Sequence, residues 1–142
     1  MTVVDASIAV KWLIPEPGSE EAQRLLDSGE NLAAPGLIAV EVAAALARKA
    51  RTNEIPAQSA ESALEIWLQS LADGLVNLMS DDNDLRRAFK LAAAIGHPLQ
   101  DCLYLALSER LGARLATADA RFALKARGVS AGVYLLATEP NA

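Results

Sequence analysis

Short apolar runs alternate along this chain with longer helical segments, and that alternation limits the fold more than any other feature. The apolar runs are 3–4 (VV), 31–35 (NLAAP), 75–79 (LVNLM), 113–118 (ARLATA) and 133–136 (VYLL). Helices are expected over 7–13, 19–26, 36–52, 56–72, 80–96, 97–112 and 119–128. Pro56 and Pro98 stand at helix starts, while Gly74, Gly96 and Gly112 stand at helix stops. Strands separated by helices pair in parallel through right-handed crossovers. The expected fold is therefore α/β: a three-layer α/β/α arrangement with a short, mainly parallel five-stranded sheet and about seven helices. Residues 1–137 read as one domain and 138–142 as a loose C-terminal tail.

Composition narrows the function. Hydrophobic residues make up 52% of the 142 and aromatics only 4%, so Leu, Ala and Val must fill the core. No apolar run approaches the roughly 20 residues of a bilayer span. The first residues lack the basic and long apolar regions of a secretion signal, so a cytoplasmic location is expected. The single cysteine excludes an intramolecular disulfide and a thiolate zinc cluster. A net charge of −5 argues against nucleic-acid binding by bulk charge, though not against a local groove.

The topology says where the acids go. In a parallel α/β sheet, helix N-termini lie at the same edge as strand C-termini, and ligands bind there. Asp5 ends the first strand, Glu41 lies early in the helix after the second, Asp101 opens the helix before the fourth, and Asp119 follows the fourth. If the first and fourth strands are neighbours at the sheet centre, these four share one cleft. Asp5, Glu41 and Asp101 lie in "VVDASI", "IAVEVAAAL" and "LQDCLYLAL". A carboxylate in such surroundings is costly unless paired, hydrogen-bonded or bound to metal. No Lys or Arg is spaced to neutralise these three along their helices. By contrast Asp81, Asp82 and Asp84, in "SDDND", read as a solvated helix start capped by Ser80.

Four clustered acids suit a hard divalent cation such as Mg²⁺ or Mn²⁺, which takes oxygen ligands and lets an acidic cleft accept an anionic substrate. Rival chemistries have little support. His97, before Pro98, reads as a surface or loop-packing residue rather than a base, and Cys102 as a small core residue. There is no Gly-rich phosphate loop.

The blocks "VVDASI", "PGLIAVEVAAAL" and "HPLQDCLYLALSERLGARLATADARF", in this order over nearly the whole chain, resemble those of PIN-domain ribonucleases, in particular the VapC-like toxins of bacterial toxin–antitoxin modules. The resemblance implies a Mg²⁺- or Mn²⁺-dependent endoribonuclease whose acids are Asp5, Glu41, Asp101 and Asp119. Ser7 matches the small polar residue after the first acid, and Thr117 the hydroxyl residue before the last. It also implies an antitoxin partner that covers the cleft, and a homodimer. The family often has Asn where Ala44 stands, and a basic residue where Ala120 precedes Arg121. Neither position is a ligand, so these departures bear on substrate choice more than on activity.

On this reading Asp5, Asp101 and Asp119 hold the metal directly or through water, and Glu41 completes the shell or orients the attacking water. Ser7 and Thr117 hydrogen-bond the carboxylates or metal waters, with Ser7 also capping the first helix. Lys11, Arg48 and Arg121 are placed to meet RNA at the rim. Trp12 and Trp67 read as core or subunit packing, and the stripe Leu64, Trp67, Leu68, Leu71 as core or dimer face. Arg86, Arg87 and Lys90 read as ordinary helix surface. Two alternatives stay open: a catalytically silent PIN-like module binding RNA or a partner, and a receiver-type phosphoacceptor domain. The second would want its phosphorylated Asp at the end of a central strand and a Lys after a later one, and "VNLM" and "VYLL" end without either.

Overall fold

A computed structural model describes residues 1–136. The tail expected at 138–142 lies outside the described residues. The strands are β1 (Thr2–Val4), β2 (Leu32–Pro35), β3 (Asn77–Met79), β4 (Arg114–Thr117) and β5 (Val133–Leu135). The helices are α1 (Ala6–Leu13), α2 (Ser19–Asp27), α3 (Ile38–Arg51), α4 (Ala57–Ala72), α5 (Leu85–Ile95), α6 (Leu99–Leu111) and α7 (Ala120–Arg127). This is the expected α/β fold.

The sheet order is β3-β2-β1-β4-β5 and every pairing is parallel. Thr2 of β1 sits opposite both Leu32 of β2 and Arg114 of β4. From β1 the chain winds outward to β2 and β3, then crosses back to β4 and on to β5. Right-handed crossovers therefore put α1–α4 on one face and α5–α7 on the other. The reversal falls between β1 and β4, which makes their carboxyl ends the switch point where such sheets bind ligands.

Burial follows this plan. β1 is covered on both faces, as a central parallel strand must be, and Thr2, Val3 and Val4 have no exposed surface. Edge strand β3 is largely exposed. In α6 every residue from Cys102 to Ser108 is buried, so the helix has no polar face over two turns and lies in the middle of its layer. At the amino edge, the Glu30 carboxylate accepts from Thr2 Oγ1 at 2.8 Å and from Arg114 at 3.0 Å, and Arg114 also donates to Thr2. A charge-balanced clasp thus closes that end of the β1–β4 pair.

The segment at 80–84 differs from expectation. Asp81–Asn83 form one 3-10 turn, Ser80 makes no side-chain cap, and α5 begins only at Leu85. Asp84 is buried rather than solvated, and its carboxylate takes two bonds from Arg110, at 2.8 and 3.0 Å. The reason is tertiary: the partner lies 26 residues away at the end of α6. Trp12 and Trp67 pack as expected, their indole N–H groups donating to Ala22 O and Ala39 O. The stripe on α4 divides, with Leu64, Trp67 and Leu71 against the core and Leu68 48% exposed.

Candidate functional site

At the end of β1 the backbone of Asp5 is extended (φ −97°, ψ 175°) while the next residue is already helical. That geometry makes Asp5 itself the cap of α1, and its Oδ1 accepts from the Ile8 N–H at 3.3 Å. The expectation that Ser7 caps this helix is corrected. Ser7 lies inside the first turn, so its hydroxyl donates to Asp5 Oδ1 and accepts from the Ala118 N–H at 2.9 Å.

Thr117, the last residue of β4, donates its hydroxyl to Asp5 Oδ2 and accepts from the Asp119 N–H at 3.1 Å. Two hydroxyls thus lash the carboxyl end of β1 to that of β4. Asp119 caps α7 through the Phe122 N–H at 3.1 Å, and the residue is exposed. Asp5 is 5% exposed, and burial pushes its carboxyl up to about 6. The hydroxyl and amide donors oppose this rise, and the Asp101 charge adds to it.

Glu41, on α3, is half-buried. Its Oε1 accepts from the buried Tyr104 hydroxyl at 2.6 Å, and burial raises its pKa, with the charges of Asp101 and Asp81 adding to the rise. Tyr104 sits one turn beyond Asp101 on α6. Asp101 Oδ2 lies 2.6 Å from His97 Nε2. One ligand atom from each of His97, Asp101 and Asp119 can be chosen so that all three lie within 4.8 Å of one another.

The structure therefore brings the four expected acids to one edge. Among the described residues no Lys or Arg pairs with any of them. A groove of about 330 Å³ between α1 and α3 is lined by Ser7, Lys11, Glu16, Glu41, Arg48 and Ala118. Lys11 is committed there, to Glu16 at 3.1 Å and to Pro17 O at 2.8 Å. Arg48 and Arg121 are exposed and form no ion pair among the described residues.

Sequence reasoning passed over three neighbours of these acids. His97 packs as expected of a loop residue, but its side chain is 5% exposed rather than on the surface. Its spacing of four residues from Asp101 was the available signal. Tyr104 meets Glu41 across 63 residues, a contact no local spacing reveals. Asp81, set aside as a helix start, lies close enough for its charge to act on Glu41. Cys102 is the inert core residue expected, its thiol pushed up to about 11 by burial.

Comparison with known proteins agrees with this fold. The PIN domain family profile matches residues 2–128. Over 124 residues the chain is 35% identical to Ribonuclease VapC3 of Pyrobaculum aerophilum, covering 87% of this chain and 92% of that protein. The crystal structure of PAE2754 from Pyrobaculum aerophilum superposes with a TM-score of 0.68 at 22% identity, over 93% of this chain and 81% of that one. A toxin–antitoxin complex from Klebsiella pneumoniae gives 0.65 at 18% identity, over 98% and 100%. The two structural likenesses speak for the fold alone.

Proposed function

This chain belongs to the PIN-domain family, within its VapC-like group, and on that premise we propose that it is a divalent-cation-dependent endoribonuclease, the toxin of a toxin–antitoxin pair. One observation carries the metal dependence. Asp5 is a buried carboxylate within reach of the Asp101 charge, with donors but, among the described residues, no cation to balance it. Oxygen-only acids in that state suit Mg²⁺ or Mn²⁺. Asp5, Asp101 and Asp119 would hold the ion, which when bound neutralises charge on a phosphodiester and lowers the pKa of a coordinated water.

The remaining roles belong to the protein. Ser7 and Thr117 fix both oxygens of Asp5, so the carboxylate is aimed before any ligand arrives. Tyr104 occupies Glu41 Oε1, leaving Oε2 to accept a proton from the attacking water. That water adds to phosphorus as the P–O ester bond breaks, and the leaving oxygen takes up a proton from solvent. Arg48 and Arg121 meet the flanking phosphates, while Lys11 serves to shape the groove through Glu16.

The partner reading follows from the same charge imbalance. An antitoxin segment carrying a basic side chain would satisfy the acids and close the cleft to RNA. The family resemblance is what supports reading the protein as a cytoplasmic homodimer. Family membership sets the receiver-type alternative aside.

The test is cleavage of single-stranded RNA by the purified protein with Mg²⁺ or Mn²⁺, with and without EDTA. We expect cleavage only with metal, and none from Asp5→Asn or Asp101→Asn. Cleavage that survives EDTA or either substitution sinks the reading. Metal-independent RNA binding without cleavage favours the silent-module alternative.

A further inference from the structure

We infer that His97 is a positioning residue that holds Asp101 in the orientation cation binding requires. The inference rests on the reading of Asp101 as a ligand and adds a residue to which the resemblance assigned no role. Three observations carry it.

The first is the bond itself. His97 Nε2 lies 2.6 Å from Asp101 Oδ2, while His97 Nδ1 is buried and has no partner among the described residues. A lone pair on Nε2 facing a carboxylate oxygen at that distance would repel it, so Nε2 carries the proton and donates. The contact is too short for both atoms to ligate one ion side by side, which makes His97 a holder of the carboxylate rather than a ligand beside it.

Next, the ring is clamped from the side of Asp119. Phe122, whose N–H bonds Asp119, stacks on the imidazole with centroids 4.9 Å apart and planes 19° from parallel. Lys125, also on α7, donates to Gly96 O at 2.6 Å and pins the turn before the histidine. Gly96 ends α5 in the left-handed region (φ 62°), where only glycine is unstrained, and the His97 N–H returns to Ala92 O at 3.2 Å. Backbone and ring are therefore both fixed.

Finally, Asp101 needs holding. Its side chain is 31% exposed against 5% for His97, so without the donor it is free to turn to solvent. With Oδ2 occupied by His97, Oδ1 is the oxygen presented to the cleft. A purely packing residue here would not strand a buried nitrogen; an aliphatic side chain would fill the same space against Phe122 without that defect.

The experiment titrates the metal-free protein with Mn²⁺ and reads free Mn²⁺ by electron paramagnetic resonance, with thermal unfolding of each metal-free variant alongside. His97→Met fills the site with no donor, whereas His97→Gln restores an N–H at similar reach. We expect His97→Met to weaken Mn²⁺ binding by roughly 10- to 100-fold with unfolding unchanged or raised, and His97→Gln to stay within about threefold of wild type. Equal affinity of wild type and His97→Met overturns the role. So does a loss in His97→Gln as large as in His97→Met. Should His97→Met fail to fold, the glutamine variant decides alone. Absence of Mn²⁺ binding in the wild type overturns the metal reading itself, an outcome distinct from the other two.

Discussion

Asp5 is held at a cost to stability. Its carboxyl titrates at 3.8 when solvated and at about 6 when folded, a difference worth about 3 kcal/mol against the ionised native state. The folded form binds the proton more tightly, so this penalty is absent below pH 4, grows as pH rises through 4 to 6, and is complete above. In metal-free protein, Asp5→Asn should therefore raise stability by up to about 3 kcal/mol at pH 7.5 and by well under 1 kcal/mol at pH 4. Urea denaturation at a series of pH values measures it, and a gain that persists unchanged at pH 4 refutes this origin. The same residue shows what a sequence can reveal at this scale. A lone acid in "VVDASI" announces itself because apolar neighbours make charge expensive, and Glu41 and Asp101 are legible for the same reason. The groups that hold these acids, Tyr104 and His97, look like ordinary core and loop residues, because their roles depend on long-range contact or on a rotamer. Ser7 departs from expectation because a helix starting one residue earlier turns its hydroxyl from cap to strand tie.

Elements are joined by ion pairs of unequal worth. Arg110 bonds Asp84 in two-pronged fashion, and Asp84 is 4% exposed, so removing the arginine strands a buried carboxylate between α5 and α6. Arg87 makes a similar fork to Glu109, but with side chains 52% and 28% exposed. Arg110→Ala should destabilise by about 2–3 kcal/mol, whereas Arg87→Ala should cost less than about 1 kcal/mol. Chemical denaturation of the two variants compares them, and equal losses contradict the burial argument. Helices and strands themselves were readable from apolar spacing and from Gly and Pro punctuation. The misreading at 80–84 had a physical source. "SDDND" has the composition of a solvated cap, and only Arg110, brought in by packing of α6, turns one of its acids inward.

At the scale of the whole molecule, the alternation of strand and helix implied a parallel sheet and gathered the acids at one edge. It did not specify that β1 and β4 touch; that comes from the crossover between β3 and β4, a choice of direction no local pattern encodes. Once they touch, the two ends of this strand pair become chemical opposites. At the amino end Thr2 is bonded within a closed set of one carboxylate and one guanidinium. The carboxyl end has Ser7 and Thr117 bonded to a carboxylate that no cation among the described residues answers. Mg²⁺ should accordingly shift the amide resonances of Ala118 and Asp119 while leaving those of Thr2 and Leu115 in place; comparable shifts at both ends would indicate a diffuse ionic effect. The clasp at the amino end thus works as an internal reference, built on the same two strands and already at electrical rest. Perturbing the strand pair itself disturbs both ends alike. A change confined to one end identifies the ligand.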